Sequence, residues 1–167
     1  GQTLREMLSA PTATAPDEAW IRRLLGPVMD ALALMHASHC YHRDVAPDNI
    51  LVQPNGQPVL LDFGAARRVV GDATQALTVI LKTGFAPIEQ YAQGTGVEQG
   101  PWTDIYALGA VMHFIITGRP PPPSVARIVH DDYLPLASAA AGRYSSEFLQ
   151  GIDRCLQVHG ADRPQTM

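Results

Sequence analysis

Apolar residues recur at intervals of three and four from Asp17 to His39, a spacing that predicts a long helix with one buried face. Pro16 and the acidic Asp17 stand at its start, where a fixed φ and a negative charge favour helix initiation. Gly26-Pro27 lies inside the pattern, so we expect either a local kink or a later start of the regular helix.

A second segment, Asp104 to Thr117, is apolar on every side and predicts a helix that is buried all round. Thr103 or Asp104 is placed to cap its start, and Gly118 is placed to end it. The apolar run within this segment is too short to span a bilayer, and no signal peptide is visible. We therefore expect no membrane segment in these residues.

Shorter elements make up the rest of the pattern. Asn55-Gly56 between two apolar runs predicts a β-hairpin, because both residues tolerate positive φ. Ala65 to Lys82 lacks periodicity, and loops of that length in compact domains are usually functional. The other predicted elements are a short helix in 1–8, a linker over 10–16, strands over 50–53 and 58–61, an extended segment over 118–124, and helices within 125–130 and 145–159.

Composition narrows the class of protein. The 167 residues suffice for one domain with a core, and 46% hydrophobic with 17% charged residues is too apolar for a disordered chain. A net charge of −4 with scattered Lys and Arg argues against nucleic acid as a partner. Cys40 and Cys155 form no C-x-x-C pattern, which favours reduced thiols and a cytoplasmic location.

Two acids and an amide carry the predicted chemistry. Asp44, Asn49 and Asp62 lie where a loop and the short hairpin can direct them toward one point. Metal-assisted phosphoryl transfer needs a carboxylate to take a hydroxyl proton, and an amide and a second carboxylate to hold Mg²⁺ on a triphosphate. This grouping therefore indicates Mg²⁺-assisted phosphoryl transfer from a triphosphate.

The motifs around these residues resemble the eukaryotic-type protein kinase family, in the bacterial serine/threonine branch. His42-Arg43-Asp44 resembles the start of the catalytic loop, Asn49 follows Asp44 by five residues, and Asp62-Phe63-Gly64 resembles the metal-binding turn.

Three further motifs follow in the order that the family has them. Pro87-Ile88-Glu89 stands in place of the Ala-Pro-Glu that ends the activation segment, and Asp104 to Gly109 resembles the start of the central helix. Arg163-Pro164 resembles the late arginine that pairs with Glu89. The resemblance implies that Glu89 and Arg163 pair, and that Asp104 stabilises the catalytic loop.

The resemblance also implies the catalytic roles. Asp44 would accept the proton of the attacking hydroxyl, while Asn49 and Asp62 would hold Mg²⁺. Leu51 would form the apolar floor beneath the adenine ring.

Regulatory and structural roles follow in the same way. Arg43 would hold a phosphate on the activation loop, for which Thr74 and Thr78 are candidate acceptors; simple solvation of both threonines is the alternative. His42 would pack beneath the metal-binding turn, and Phe63 and Gly64 belong to that turn.

One position departs from the family pattern. Most serine/threonine kinases carry a Lys two residues after the catalytic Asp, and this chain has Ala46 there. Counting back from Glu89 puts Lys82 where those kinases place a Thr. We hypothesise that Lys82 supplies the missing ammonium from the activation segment, the alternative being an exposed surface lysine.

No motif here resembles the Gly-rich loop, the Val-Ala-Ile-Lys strand or the helix that bears its Glu partner. We expect a mainly α fold with a small β-hairpin: residues 1–167 as the C-terminal lobe of the protein kinase-like α+β fold, from the hinge to just before or within the last helix, without the N-terminal lobe. The lobe alone should bind ATP weakly, and its partners would be that N-terminal lobe and a protein substrate with a Ser or Thr hydroxyl.

Two other functions stay open. A pseudokinase scaffold is favoured by Ala46 and disfavoured by the intact Asp44, Asn49 and Asp62. A small-molecule phosphotransferase shares that catalytic set, but it lacks an activation segment ending in a Glu that pairs with a late Arg.

Overall fold

Seven helices and five short strands make up the described part of the chain, residues 1–9, 16–61, 67–68, 81–92 and 97–167 of a computed structural model. In chain order they are β1 (Gln2–Thr3), α1 (Leu4–Leu8), α2 (Glu18–Ala37), β2 (Cys40–Tyr41), β3 (Ile50–Val52), β4 (Pro58–Leu60), β5 (Arg67–Arg68), α3 (Ile88–Tyr91), α4 (Pro101–Thr117), α5 (Ser124–Val129), α6 (Leu136–Ala139) and α7 (Ser146–Cys155).

The predicted long helix is α2. The Asp17 side chain caps it by accepting a hydrogen bond from the Trp20 N–H at 2.7 Å. The helix continues through Pro27, so the expectation of a later start was wrong. Of the seven apolar residues in the predicted pattern, Trp20 and Met35 are partly buried, and the other five form the buried face: Ile21, Leu24, Leu25, Val28 and Leu32.

The centre of the core is α4, whose residues 103–111 are all buried. It begins at Pro101 after Gly100, three residues before the predicted start. Of the two predicted capping residues, Thr103 accepts the Gly100 backbone N–H at 3.2 Å, whereas Asp104 does not cap this helix. Proline is favoured at the first helical position because its fixed φ suits the helix and its missing N–H would have no partner there. At Gly109 the helix α7 packs closely, and an added Cβ would lie 2.8 Å from the Cβ of Cys155.

The predicted hairpin is the β3–β4 pair, with Ile50 opposite Leu60. Its sheet has a third strand that the sequence did not predict, β1, which pairs antiparallel with β3 to give the order β1-β3-β4. A second antiparallel pair joins β2 to β5. The catalytic-loop motif therefore runs between two sheets, from the end of β2 to the start of β3.

The predicted fold class, mainly α with a small β-hairpin, is confirmed. The predicted helices near 125–130 and 145–159 are α5 and α7, and the second ends earlier than expected, at Cys155. The four-residue helices α3 and α6 were not predicted. Within the described ranges, no helix is both long enough and apolar enough to cross a bilayer.

Candidate active site

A completely buried carboxylate, Asp104, fixes the start of residues 42–49, the predicted catalytic loop. Its Oδ2 accepts the backbone N–H of His42 at 2.9 Å, and its Oδ1 accepts the backbone N–H of Arg43 at 2.7 Å. Asp104 therefore reaches out of the first turn of α4 and holds the backbone of the loop. Two charge-assisted hydrogen bonds to one carboxylate also offset much of the cost of burying it.

A third partner of Asp104 is His36, in the last turn of α2. Its Nε2 lies 2.8 Å from Asp104 Oδ2, and the two side chains are 8% and 0% exposed. The two residues are 68 positions apart, so no local pattern in the sequence could indicate this contact. His36 thereby connects α2, α4 and the catalytic loop.

The His42 side chain is buried and contacts the backbone of Asp44, the predicted base. Its Nδ1 accepts the backbone N–H of Asp44 at 3.3 Å, and its Nε2 lies 3.1 Å from the carbonyl oxygen of Leu61. A backbone N–H can only donate and a carbonyl can only accept, so these partners place the imidazole proton on Nε2. His42 thus ties the catalytic loop to the backbone at the end of the hairpin.

Asn49 orients the carboxylate of Asp44. Its Nδ2 donates to both the carbonyl oxygen and Oδ2 of Asp44, each at 2.7 Å. Asn49 ends a 3₁₀ turn over Pro47–Asn49 and is itself buried, so its amide has a fixed direction. No hydrogen bond within the described part of the chain uses its Oδ1, which leaves that oxygen available to a ligand.

Lys82 contacts the same carboxylate. Its Nζ donates to Asp44 Oδ2 at 3.0 Å, with the two side chains 30% and 25% exposed. Lys82 is also the only lysine in the sequence, and Ala46 is completely buried. Lys82 is therefore a partly exposed lysine that is paired with Asp44, and its catalytic role stays a prediction.

A tight turn fixes the backbone of Lys82. Its carbonyl oxygen accepts the N–H groups of Phe85 at 2.9 Å and Ala86 at 3.1 Å. Gly84 in this turn has φ +87°, and a Cβ there would lie 2.8 Å from the Cβ of Pro120. Glycine is the residue that adopts this conformation without steric cost, and it also leaves room for the neighbouring proline.

Glu89, in α3, and Arg163 form a buried ion pair. The Arg163 Nη1–Glu89 Oε1 distance is 2.7 Å, and both side chains are at most 3% exposed. Thr103 also donates to Glu89 Oε1 at 3.1 Å. The guanidinium donates further to three backbone carbonyls, those of Gln157, Val158 and Trp102, so the buried charge is fully hydrogen-bonded.

Sequence reasoning missed Gln90, which holds the catalytic loop from the other side. Its Nε2 donates to the carbonyl oxygen of Arg43 at 2.7 Å, and the residue is 5% exposed. Arg43 has φ +65°, in the left-handed region that costs about 1–2 kcal/mol for a residue with a Cβ.

Arg5 and Asp48 were also missed. Arg5 Nε donates to Asp48 Oδ1 at 2.6 Å, and both side chains are about two-fifths exposed. Burial alone would raise the pKa of Asp48, but the hydrogen bond and charge of Arg5, with the charge of Lys82, lower it below its ordinary value. Leu51, the predicted adenine floor, is half-buried on β3 opposite Val59.

Several predicted residues lie outside the described part of the chain. They are the metal-binding turn, Asp62, Phe63 and Gly64, and the candidate phosphate acceptors Thr74 and Thr78. The residues brought together within the described ranges are therefore Asp44, Asn49 and Lys82, with Asp104 and His42 behind them.

Comparison with known proteins gives three results. The family model described as "Protein kinase domain" matches residues 1–167. The chain is 38% identical over 122 residues to "Probable serine/threonine-protein kinase PknB" of Corynebacterium glutamicum, covering 72% of this chain and 18% of that protein. It is 34% identical over 122 residues to "Serine/threonine-protein kinase PknL" of Mycobacterium tuberculosis, covering 72% and 29%.

Among solved structures, "PpkA-294 apo form" is similar with a TM-score of 0.83 and 49% sequence identity, covering 99% of this chain and 57% of that one. The chain thus spans less than a third of the length of the two curated relatives.

Proposed function

This chain belongs to the protein kinase family, and we propose that the complete protein to which it belongs transfers the γ-phosphoryl group of ATP to Ser and Thr hydroxyls of other proteins. The observation that carries the proposal is the environment of Asp44, whose Oδ2 accepts hydrogen bonds from both Asn49 and Lys82. The chain provides the C-terminal lobe of the kinase, and the Gly-rich loop and its Lys strand come from a separate N-terminal lobe.

Asp44 acts as the base in this proposal. The two donors fix Oδ2, while no hydrogen bond among the described residues uses Oδ1. The carboxylate is 25% exposed, so Oδ1 can meet a hydroxyl that approaches from solvent. A general base must lie within hydrogen-bonding reach of the proton it accepts, and the fixed carboxylate favours this geometry.

Lys82 provides the positive charge that Ala46 cannot. Negative charge is spread over the oxygens of the transferred phosphoryl group, and a preorganised cation beside them stabilises the transition state. Lys82 is held next to the base by a fixed turn, so its ammonium is in place before the substrate binds.

The residues present fit Mg²⁺. This ion prefers oxygen ligands, and the amide of Asn49 is anchored through its nitrogen so that its oxygen remains for a cation. Asn49 Oδ1 and the carboxylate of Asp62 would hold the ion. Bound there, Mg²⁺ would neutralise charge on the ATP phosphates.

The two alternatives can be weighed on the same geometry. The contact of Lys82 with Asp44 weakens the argument for a pseudokinase, because the cation missing at Ala46 is replaced at the base. The buried Glu89–Arg163 pair, which small-molecule phosphotransferases lack, favours a protein substrate.

The test is a radiolabel assay on the complete protein, with γ-labelled ATP, Mg²⁺ and a generic Ser/Thr-containing protein acceptor. We expect incorporation that is lost on addition of EDTA and in the Asp44→Asn variant, and kept in Asp30→Asn, whose carboxylate is exposed on α2. No incorporation by folded, nucleotide-binding protein would support the scaffold instead. Labelling confined to small alcohols would support a small-molecule phosphotransferase.

A further inference from the structure

Arg43 is held in an unfavourable backbone conformation, and something must maintain it. Its φ of +65° lies in the left-handed region, and of the other described residues with a side chain only His39 has a positive φ. Strained backbone of this kind persists where its surroundings fix it, and it is concentrated at functional sites. Since Arg43 directly precedes the proposed base, its conformation sets the direction in which Asp44 leaves the loop.

Both hydrogen-bonding groups of the Arg43 backbone are bound by side chains from distant parts of the chain. Its N–H is accepted by Asp104 Oδ1 at 2.7 Å, and its carbonyl oxygen accepts the amide of Gln90 at 2.7 Å. Asp104 therefore holds the peptide group between His42 and Arg43. Gln90 holds the peptide group between Arg43 and Asp44.

Gln90 is itself rigidly placed. It lies in α3, directly after Glu89, whose carboxylate is bound by Arg163 and Thr103. The same segment carries Lys82, whose ammonium contacts Asp44. The end of the activation segment therefore contacts both the carboxylate of the base and the backbone carbonyl just before it.

We propose that Gln90 is a positioning residue for phosphoryl transfer: its side-chain amide maintains the left-handed backbone of Arg43 and so aims Asp44. The inference rests on the proposed kinase function. Gln90 does not touch the reacting atoms; it couples the order of the activation segment to the geometry of the base. Loss of its N–H donor removes the hydrogen bond that Gln90 gives to the Arg43 carbonyl in a part-buried site, which disfavours the strained conformation.

The first test compares Gln90→Leu, which lacks the donor, with Gln150→Leu, which changes an exposed glutamine on α7. In the complete protein we expect Gln90→Leu to lower kcat about tenfold, with the KM for ATP nearly unchanged, since one buried hydrogen bond is lost. Gln150→Leu should match the wild type. An unchanged kcat for a folded Gln90→Leu protein would overturn the proposal.

The second test separates positioning from general stability. In Gln90→Glu the ionised carboxylate cannot donate to the Arg43 carbonyl, but the protonated acid can. The activity of Gln90→Glu relative to wild type, measured at each pH, should therefore rise as the pH falls. A ratio that does not change with pH would contradict the proposed donor role. This measurement tests the proposal even when the Gln90→Leu protein does not fold.

A third measurement does not depend on turnover. Amide hydrogen exchange of the segment 41–48 should be faster in Gln90→Glu at neutral pH than in wild type, and unchanged in Gln150→Leu. Together with the activity assay, this measurement separates the kinase function from the role of Gln90. An inactive wild type would refute the proposed function, whereas unaltered exchange in segment 41–48 would refute the role of Gln90.

Discussion

The contact between Lys82 and Asp44 gives the most direct prediction. Replacing Lys82 by Met removes the charge but keeps an unbranched side chain, and Lys82→Arg keeps the charge but changes its shape. At 3.0 Å and an effective dielectric constant of about 20, the ion pair has a gross attraction of about 5.5 kcal/mol. Both side chains are partly exposed, so the net contribution to folding is expected to be only about 1 kcal/mol.

The effect on the rate should be much larger than the effect on stability. Removing one preorganised group that stabilises transition-state charge typically lowers kcat by about 10²–10³-fold. On the proposed function, we therefore expect Lys82→Met in the complete protein to lower kcat by that factor, to leave the KM for ATP nearly unchanged, and to shift the urea midpoint only slightly. Steady-state kinetics and urea unfolding of the same preparations measure the two effects.

The double variant Ala46→Lys/Lys82→Thr tests whether the position of the cation is what matters. It places the lysine where most kinases of the family have it, and we expect its kcat to be at least about tenfold higher than that of Lys82→Met. A Lys82→Met protein that turns over at the wild-type rate would refute the reasoning. A large loss of stability in that variant would instead assign Lys82 a structural role.

Three further predictions concern stability. Arg163→Ala should lower the free energy of unfolding by about 3–5 kcal/mol in urea titrations, because it leaves Glu89 buried without its partner. Gly109→Ala should lower the free energy of unfolding by about 1–3 kcal/mol, because α7 packs closely against this glycine. Gly151→Ala, which adds a methyl group in open space on α7, should leave stability unchanged or raise it, and calorimetry of both variants measures the difference. Burial lowers the pKa of His113, so the unfolded state takes up the proton of this imidazole at a higher pH than the folded state. The free energy of unfolding should therefore fall as the pH drops below about 6.5. Urea unfolding at several pH values should show a smaller fall for His113→Gln than for the wild type.

Periodic patterns and turn chemistry in the sequence predicted the larger elements well. The spacing along α2 identified its buried face, and Asn55-Gly56 identified the β3–β4 hairpin. The two-residue strand β1 is too short to show alternation and forms only because β3 offers it an edge. Such an element depends on tertiary contacts, which a single sequence does not reveal.

At the start of α4, the family motif correctly indicated the role of Asp104, but the local prediction that Asp104 caps the helix was wrong. Asp is a favoured capping residue, and Asp104 precedes the apolar run, so a cap was the natural local interpretation. The helix instead begins at Pro101, and the Asp104 carboxylate is bound to the catalytic loop. The family motif pointed to that loop, whereas the local propensity did not.

Within the site, motif spacing predicted residues but not all of their contacts. Counting back from Glu89 pointed to Lys82, which the structure places 3.0 Å from Asp44. The contacts of His36 and Gln90 link positions 68 and 47 residues apart, and nothing in their local sequence distinguishes them from ordinary helical residues. Hydrogen bonds between distant side chains and backbone depend on the assembled fold.

On the proposed function, the use of a lysine at position 82 in place of one at position 46 has a consequence for the control of activity. A cation that follows the base in the same loop is present whenever that loop is folded. Lys82 instead belongs to the turn near the end of the predicted activation segment, and the anchors Glu89 and Gln90 follow it in α3. On the proposed function, disorder in that one segment would remove the cation and release the backbone of Arg43 together. Activity of the complete protein should therefore depend more steeply on activation-segment order than in kinases with a lysine in the catalytic loop.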